Sequence, residues 1–527
     1  MNFKHIIFSL VLVSFSSTIF AQKLNYEISD NPNKMFDLGN FQRAKEIYRD
    51  KYKKDLSNEK IKYKFGVCLI NTYELADGIK FLESISKSPS TPVEVWYYLA
   101  RGYHLSNRYD KAITLYQKYN GISGAKAELI DRSNRNIEMC NNAKIIVQKP
   151  LNISFENLGK RVNSAGREYL PMITPDESML LYSTRRQGTT GRIYDLEGYY
   201  TADIFLAKYK YGKWSKARSV GAPNSYGNEQ TAGISEDGKS VIYYVNNPKS
   251  KNNLQISKKS RSSFKRSTLI KSKEINNGSS LQMSATISNE ESYLIFSSNK
   301  PGGTGRQDLY ICKKLPNGEW AEPINMGNTI NTTFDESYPY LTNNGHTLYF
   351  ASTGHNSMGG YDIFVTHFDF SKKEWSKPKN VGYPLNTSYN NTNICFTKNK
   401  KYAYVSTYRK DSYGDLDLYK VNFEDADPSY TTIKGYVLDA DSNIFKTPLT
   451  IEVFDKKTDE LYGLYEVNTT NGSFIMILPP NNYEINIDVP EQGYFKKAFN
   501  VLGRNKYKKE KKQNITVSFD LPEPSKK

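Results

Sequence analysis

At 527 residues the chain is too long to close around one hydrophobic core, so two to four domains are expected. With 38% hydrophobic and 13% aromatic residues it carries enough apolar surface to fold, which excludes a wholly disordered chain. A formal charge of +17 suits anionic envelope material or acidic protein partners, while nucleic acid is a poor partner for a chain that opens on an export signal.

Residues 1–21 read as that signal. Lys4 supplies the positive start, residues 6–13 an apolar core, and Ile19-Phe20-Ala21 a cleavage site before Gln22. No Cys follows the site, so no lipid anchor is expected there, and no later segment approaches the ~20 apolar residues of a transmembrane span.

Residues 22–148 repeat with a period of 34. Met35, Leu69 and Tyr103 stand in register, as do Phe41, Leu75 and Tyr109, then Ala44, Gly78 and Ala112, then Tyr48, Leu82 and Tyr116. Large residues alternating with small ones let paired helices approach closely. With Trp96-x2-Leu99-Ala100-x2-Tyr103 this resembles the tetratricopeptide repeat (TPR). In such a repeat Trp96, Leu99, Ala100 and Tyr103 fill the core, and the neighbouring stripe faces a peptide-binding groove. The candidate partner-binding residues on that stripe are Tyr63, Val67, Tyr97, Arg101, His104 and Arg135. Tyr and Arg dominate interface hot spots, which favours Tyr63, Tyr97 and Arg101.

Residues 149–425 change to a period of about 55 and to strand and turn chemistry. Asp203-Ile204-Phe205, Asp308-Leu309-Tyr310, Asp362-Ile363-Phe364 and Asp417-Leu418-Tyr419 are one recurring element. Leu254-Gln255-Ile256 is its degenerate copy. Turns at Pro175-Asp176-Glu177, Glu236-Asp237-Gly238 and Asn343-Asn344-Gly345 precede strand-like runs. The pattern resembles the WD40-like (PD40) propeller of TolB-type proteins and predicts five blades. Residues 152–159 mimic a blade end that the fifth copy lacks, so the N-terminal strand is expected to latch the ring, since open sheet edges are rarely left unpaired.

Residues 430–502 alternate apolar and polar side chains around turns at Asn471-Gly472 and residues 479–482, and resemble the carboxypeptidase-regulatory-like β-sandwich. A basic tail, 503–527, follows and is expected to be a solvated linker. The predicted fold class is thus multidomain, α then all-β: TPR helices, a five-bladed propeller and a small sandwich. That domain order resembles the OmpA-family envelope proteins of Bacteroidota, such as the PorE-like components of type IX secretion. The resemblance implies a periplasmic or outer-membrane-associated scaffold with envelope proteins as partners. No OmpA-like domain is visible before Lys527, so peptidoglycan binding is not carried over.

No catalytic site is expected. His104, His346, His355 and His367 form no zinc-binding pair, and no nucleophile elbow is present, Ser357 sitting in a near miss of one. The aspartates that recur once per blade suit turn-holding better than catalysis. Cys68, Cys140, Cys312 and Cys395 lack metal-ligand spacing; pairing of Cys68 with Cys140 stays open. No metal or cofactor is expected. The alternative reading is an enzyme or glycan receptor using the propeller channel.

Overall fold

The computed structural model describes residues 31–518, apart from residues 196, 248–251, 262, 273, 277–281, 343–344, 370, 399, 425–430, 480 and 502–509. The expected signal peptide, the turn at Asn343-Asn344 and most of the basic tail therefore lie outside the described residues. The chain forms two compact units, one holding the helices and most of the sheets, the other the C-terminal residues from 422 onward together with residues 152–154 and 400–402. No helix among the described residues is long and apolar enough to cross a membrane.

The first unit opens with helices α1 (Pro32–Asp37), α2 (Phe41–Lys54), α3 (Glu59–Asn71), α4 (Leu75–Ile85), α5 (Val95–Leu105), α6 (Tyr109–Asn120) and α7 (Ala127–Ile146). Asn31, Asn40 and Asn58 cap α1, α2 and α3, each side-chain oxygen accepting a backbone N–H of the first turn. Consecutive helices pack against each other, and the residues of the 34-residue register supply much of what they bury: Met35, Leu69 and Tyr103, then Tyr48, Leu82 and Tyr116. The small residues set the spacing. A Cβ on Gly102 would lie 2.7 Å from Ile70 Cδ1, and one on Gly66 would lie 2.8 Å from Leu82 Cδ2.

Five antiparallel sheets follow among the described residues, and together they form a β-propeller. Their inner strands are Glu168–Ile173, Asn228–Ile234, Gln282–Ile287, Glu336–Thr342 and Ile394–Phe396. Each of the first four packs against the next inner strand or stacks on it, as Tyr340 does on Phe396. The circle closes where Asn393 Nδ2 donates to the Pro171 carbonyl, 3.2 Å away. The fifth sheet takes its outer strand from Ile153–Asn157, which pairs with Asp417–Phe423. The first and last parts of the propeller sequence thus share one sheet.

One side-chain device recurs in every sheet. Asn224, Asn276, Asn331 and Asn386 each span a residue of the third strand as a peptide group would, accepting its N–H and donating to its C=O. In the fifth sheet the same clamp on Leu418 comes from Asn163, just beyond the N-terminal strand. The recurring aspartates hold the preceding turn: Asp203 accepts from Thr190 N–H, Asp308 from Thr304 and Gly305, Asp362 from Met358, and Asp417 from Tyr413 and Gly414.

The second unit packs two sheets. One joins Thr431–Leu438, Ser473–Leu478, Glu510–Lys512 and Ile515–Thr516; the other joins Leu449–Asp455, Leu461–Val467, Asn481–Val489 and Gly493–Val501. Alternation places Ile451, Val453, Ile485 and Ile487 inside with Phe474 and Met476. The boundary at 502 needs correcting. Residues 510–516 run parallel to Thr431–Leu438, and Ile515 and Val517 are buried in the same core. This part of the expected linker is a sandwich strand.

Candidate functional site

The helices and the propeller meet across a polar seam. His104 on α5 bonds the Met358 carbonyl through Nε2 at 2.9 Å. Burial pushes the His104 imidazole down to about 4, so the ring is neutral near pH 7 and Nε2 carries the donated proton. Arg135 on α7 donates to the carbonyls of Thr353 at 2.7 Å and His355 at 3.2 Å, with its guanidinium 4.4 Å over the Phe334 ring. Asn142 Nδ2 reaches the Ser357 carbonyl at 3.0 Å, and Tyr109 Oη lies 3.2 Å from Ser388 Oγ. Tyr73, at the end of α3, meets Tyr389 edge-on at 5.0 Å. Gly198, in the loop between the second and third strands of the first propeller sheet, approaches Asn40 so closely that a Cβ there would sit 2.0 Å from Asn40 Oδ1. The loops engaged are those between second and third strands, at 198 and 353–358, and those leading into the next inner strand, at 334 and 388–389, so the helices cover one end of the ring.

Between the two layers remains a cleft of about 610 Å³. Tyr97, Arg101, His104, Arg135 and Asn136 line its helical side; Arg306, Phe334, Asp335, Tyr361, Tyr389 and Asn390 are among those on its propeller side. Of the six residues expected along an open groove, four border this cleft: Tyr97, Arg101, His104 and Arg135. Tyr63 and Val67 do not; both are buried in the helical core. The groove is corrected in a second respect, because propeller loops already cover much of it. The face assignment on α5 shifts as well. Tyr97 is 2% exposed, whereas Trp96, expected in the core, is partly exposed beneath the Lys118 ammonium.

Sequence reasoning missed the charged ring at the propeller end. Arg167 binds Asp415 through Nε at 2.9 Å, and Tyr199 Oη also donates to that carboxylate. Arg185 pairs with Asp195 and with Glu197, and Arg306 pairs with Asp335. Burial raises the carboxyls of Asp195 and Asp335, against the pull of their arginines. Glu336 and Asp362 are both pushed up to about 7, again by burial, while neighbouring N–H, amide and hydroxyl donors oppose the shift. Ser357 is fully buried and donates to the Ser352 and Gly354 carbonyls, so its hydroxyl is not presented to a substrate. All four cysteines are free and buried, Cys68 and Cys140 included. Among the described residues no group of three or more His, Cys, Asp or Glu side chains could hold a metal ion.

No protein-family model matches the chain, and no curated protein matches it. Among solved structures it is similar to a glycoside hydrolase at 8% identity and a TM-score of 0.37, over 53% of this chain and 94% of that one. It is similar to an α-L-arabinofuranosidase from Lactobacillus brevis at 9% identity and a TM-score of 0.31, over 52% of this chain and 93% of that one. The Swd1 β-propeller domain from Myceliophteria thermophila matches at 9% identity and a TM-score of 0.26, over 67% of this chain and all of that one, 100%. Scores that low say nothing about what this chain does.

Proposed function

We propose that the chain is a non-enzymatic binding scaffold of the bacterial cell envelope, in which TPR helices cap a five-bladed WD40-like propeller and a regulatory-like sandwich follows. It works in the periplasm or at the periplasmic face of the outer membrane, with envelope proteins as partners. Its domain order resembles that of the OmpA-family, PorE-like proteins linked to type IX secretion, without their OmpA-like domain.

One observation carries the non-enzymatic part: the carboxylates at the ring end and in the blade turns are already engaged. Asp195, Asp335 and Asp415 at the ring end are each held by an arginine. Asp203, Asp308, Asp362 and Asp417 accept backbone N–H groups of their own turns. A glycosidase needs one carboxyl free to protonate and another free to attack or to activate water. What stays open is a cleft between two rigid layers, whose size suits a bound ligand or chain end.

Chemical crosslinking in cells, followed by purification of the chain and identification of its companions, tests this reading. Recovery of defined envelope proteins is expected. Recovery of the chain alone, together with turnover of a glycoside or peptide substrate by the purified protein, would overturn it.

A further inference from the structure

Arg101 is a cation that the fold leaves without an acid. It projects from α5 into the cleft, and its Nε is buried with no hydrogen-bond partner. Its neighbours are committed elsewhere. Arg135 is spent on propeller carbonyls, Arg306 on Asp335, and Arg167 on Asp415. An unpaired guanidinium beside low-dielectric walls is costly to keep unless something fills its fork. The cleft as a whole is basic, with Arg101, Arg132, Arg135 and Arg306 against Asp131 and Asp335. Its walls are aromatic, formed by Tyr97, Tyr361, Tyr389 and Phe334.

Building on the scaffold reading, we propose that this cleft binds the terminal carboxylate of a partner peptide, with Arg101 as its forked donor and the aromatic rings covering the adjoining apolar side chains. The hydrogen-bonding groups left over favour a peptide end over a sugar. Hydroxyl-rich ligands need acceptors, and most of those here are taken: Asp335 by Arg306, Asn390 Oδ1 by the Tyr361 N–H, and the Thr353 carbonyl by Arg135, which leaves the exposed Asp131 as the carboxylate still open. A carboxylate needs donors alone. A recess between two layers also accepts a chain end more readily than a continuous strand.

The test uses the purified full chain and fluorescein-labelled Ala-Ala-Tyr-Leu, as free acid and as C-terminal amide, read by fluorescence anisotropy. The free acid should bind at least about tenfold tighter than the amide, the worth of a charge-assisted pair. Arg101→Gln should remove that difference, and Arg101→Lys should restore part of it. Equal binding of acid and amide by the unaltered chain overturns the proposal without relying on any variant's folding. So does an acid preference that survives in folded Arg101→Gln, or binding of trigalacturonate with none of the peptide acid. Partner capture in cells is a separate readout: its absence defeats the scaffold reading, whereas capture without acid preference defeats only the assignment of this ligand.

Discussion

Replacing Asn163 by Ala probes the ring latch at a single side chain. Asn163 is 2% exposed; its Oδ1 accepts the Leu418 N–H at 2.9 Å, and its Nδ2 donates to the Leu418 carbonyl at 3.0 Å and to Asn157 Oδ1 at 2.8 Å. Truncation does not orphan every partner. The Leu418 carbonyl keeps the Leu158 N–H at 3.1 Å, and Asn157 Oδ1 keeps the Gly159 N–H at 2.8 Å. The Leu418 N–H loses the side-chain oxygen it donates to. A buried donor left unmade costs ~1–3 kcal/mol, and the vacated space adds to it, so about 2 kcal/mol is expected. Hydrogen exchange of the peptide covering residues 416–421 reads this locally, and that energy corresponds to roughly 30-fold faster exchange. Asn276→Ala makes the matching change on Leu254 in the second sheet and should leave residues 416–421 protected. Exchange at 416–421 within about threefold of the unaltered chain would refute the latch reasoning.

Deleting residues 152–158 removes the outer strand of the fifth sheet and bares the edge of Asp417–Phe423, so propeller melting should fall by roughly 10 °C, with aggregation, in calorimetry. Tyr97→Ala should destabilise the helical layer by ~3–5 kcal/mol in urea titration, because this ring is core, whereas Arg101→Gln should leave the midpoint nearly unchanged. Gly102→Ala should cost about 1–3 kcal/mol by pushing on Ile70 and Ile79, read the same way. His104 falls from 6.5 to about 4 on folding, so its contribution is full above pH 6.5 and is lost as pH falls toward 4. That is about 2 kcal/mol by pH 5, and His104→Gln should flatten the acid limb of urea midpoints measured against pH. Asp362, raised from 3.8 to about 7, acts in the opposite sense: its contribution is present below pH 3.8 and lost as pH rises through 7, and Asp362→Asn should flatten the alkaline limb.

What the sequence revealed was whatever repeats. The 34-residue register marks side chains that face a neighbouring helix in each copy, and the Asp of each third strand marks a turn built the same way in most copies. Residues 152–159 were legible as a displaced blade end for the same reason. The Asn clamp was equally periodic and its role went unread, although Asn163-Ser164, Asn224-Ser225, Asn331-Thr332 and Asn386-Thr387 all stand at one spacing before Glu168, Glu229, Glu336 and Asn391. Contacts made once leave no such trace. Arg135 meets Thr353 across 218 residues and Arg167 meets Asp415 across 248, with nothing local to link them. The faces of α5 were misassigned because Trp96 and Tyr97 lie only about 100° apart on a helix, and periodicity does not say which side the propeller covers. The strand at 515–516 hides in a lysine-rich stretch whose alternation is too short to read.

Photocrosslinking in cells reads the occupancy of the cleft directly. A photoreactive residue replaces Asn136, on the cleft wall, or Tyr211, which is 97% exposed. A discrete adduct with one envelope protein is expected from position 136, absent from position 211, and lost when Arg101→Gln is added. No adduct from position 136, or the same adduct from both positions, would contradict the cleft as the docking site.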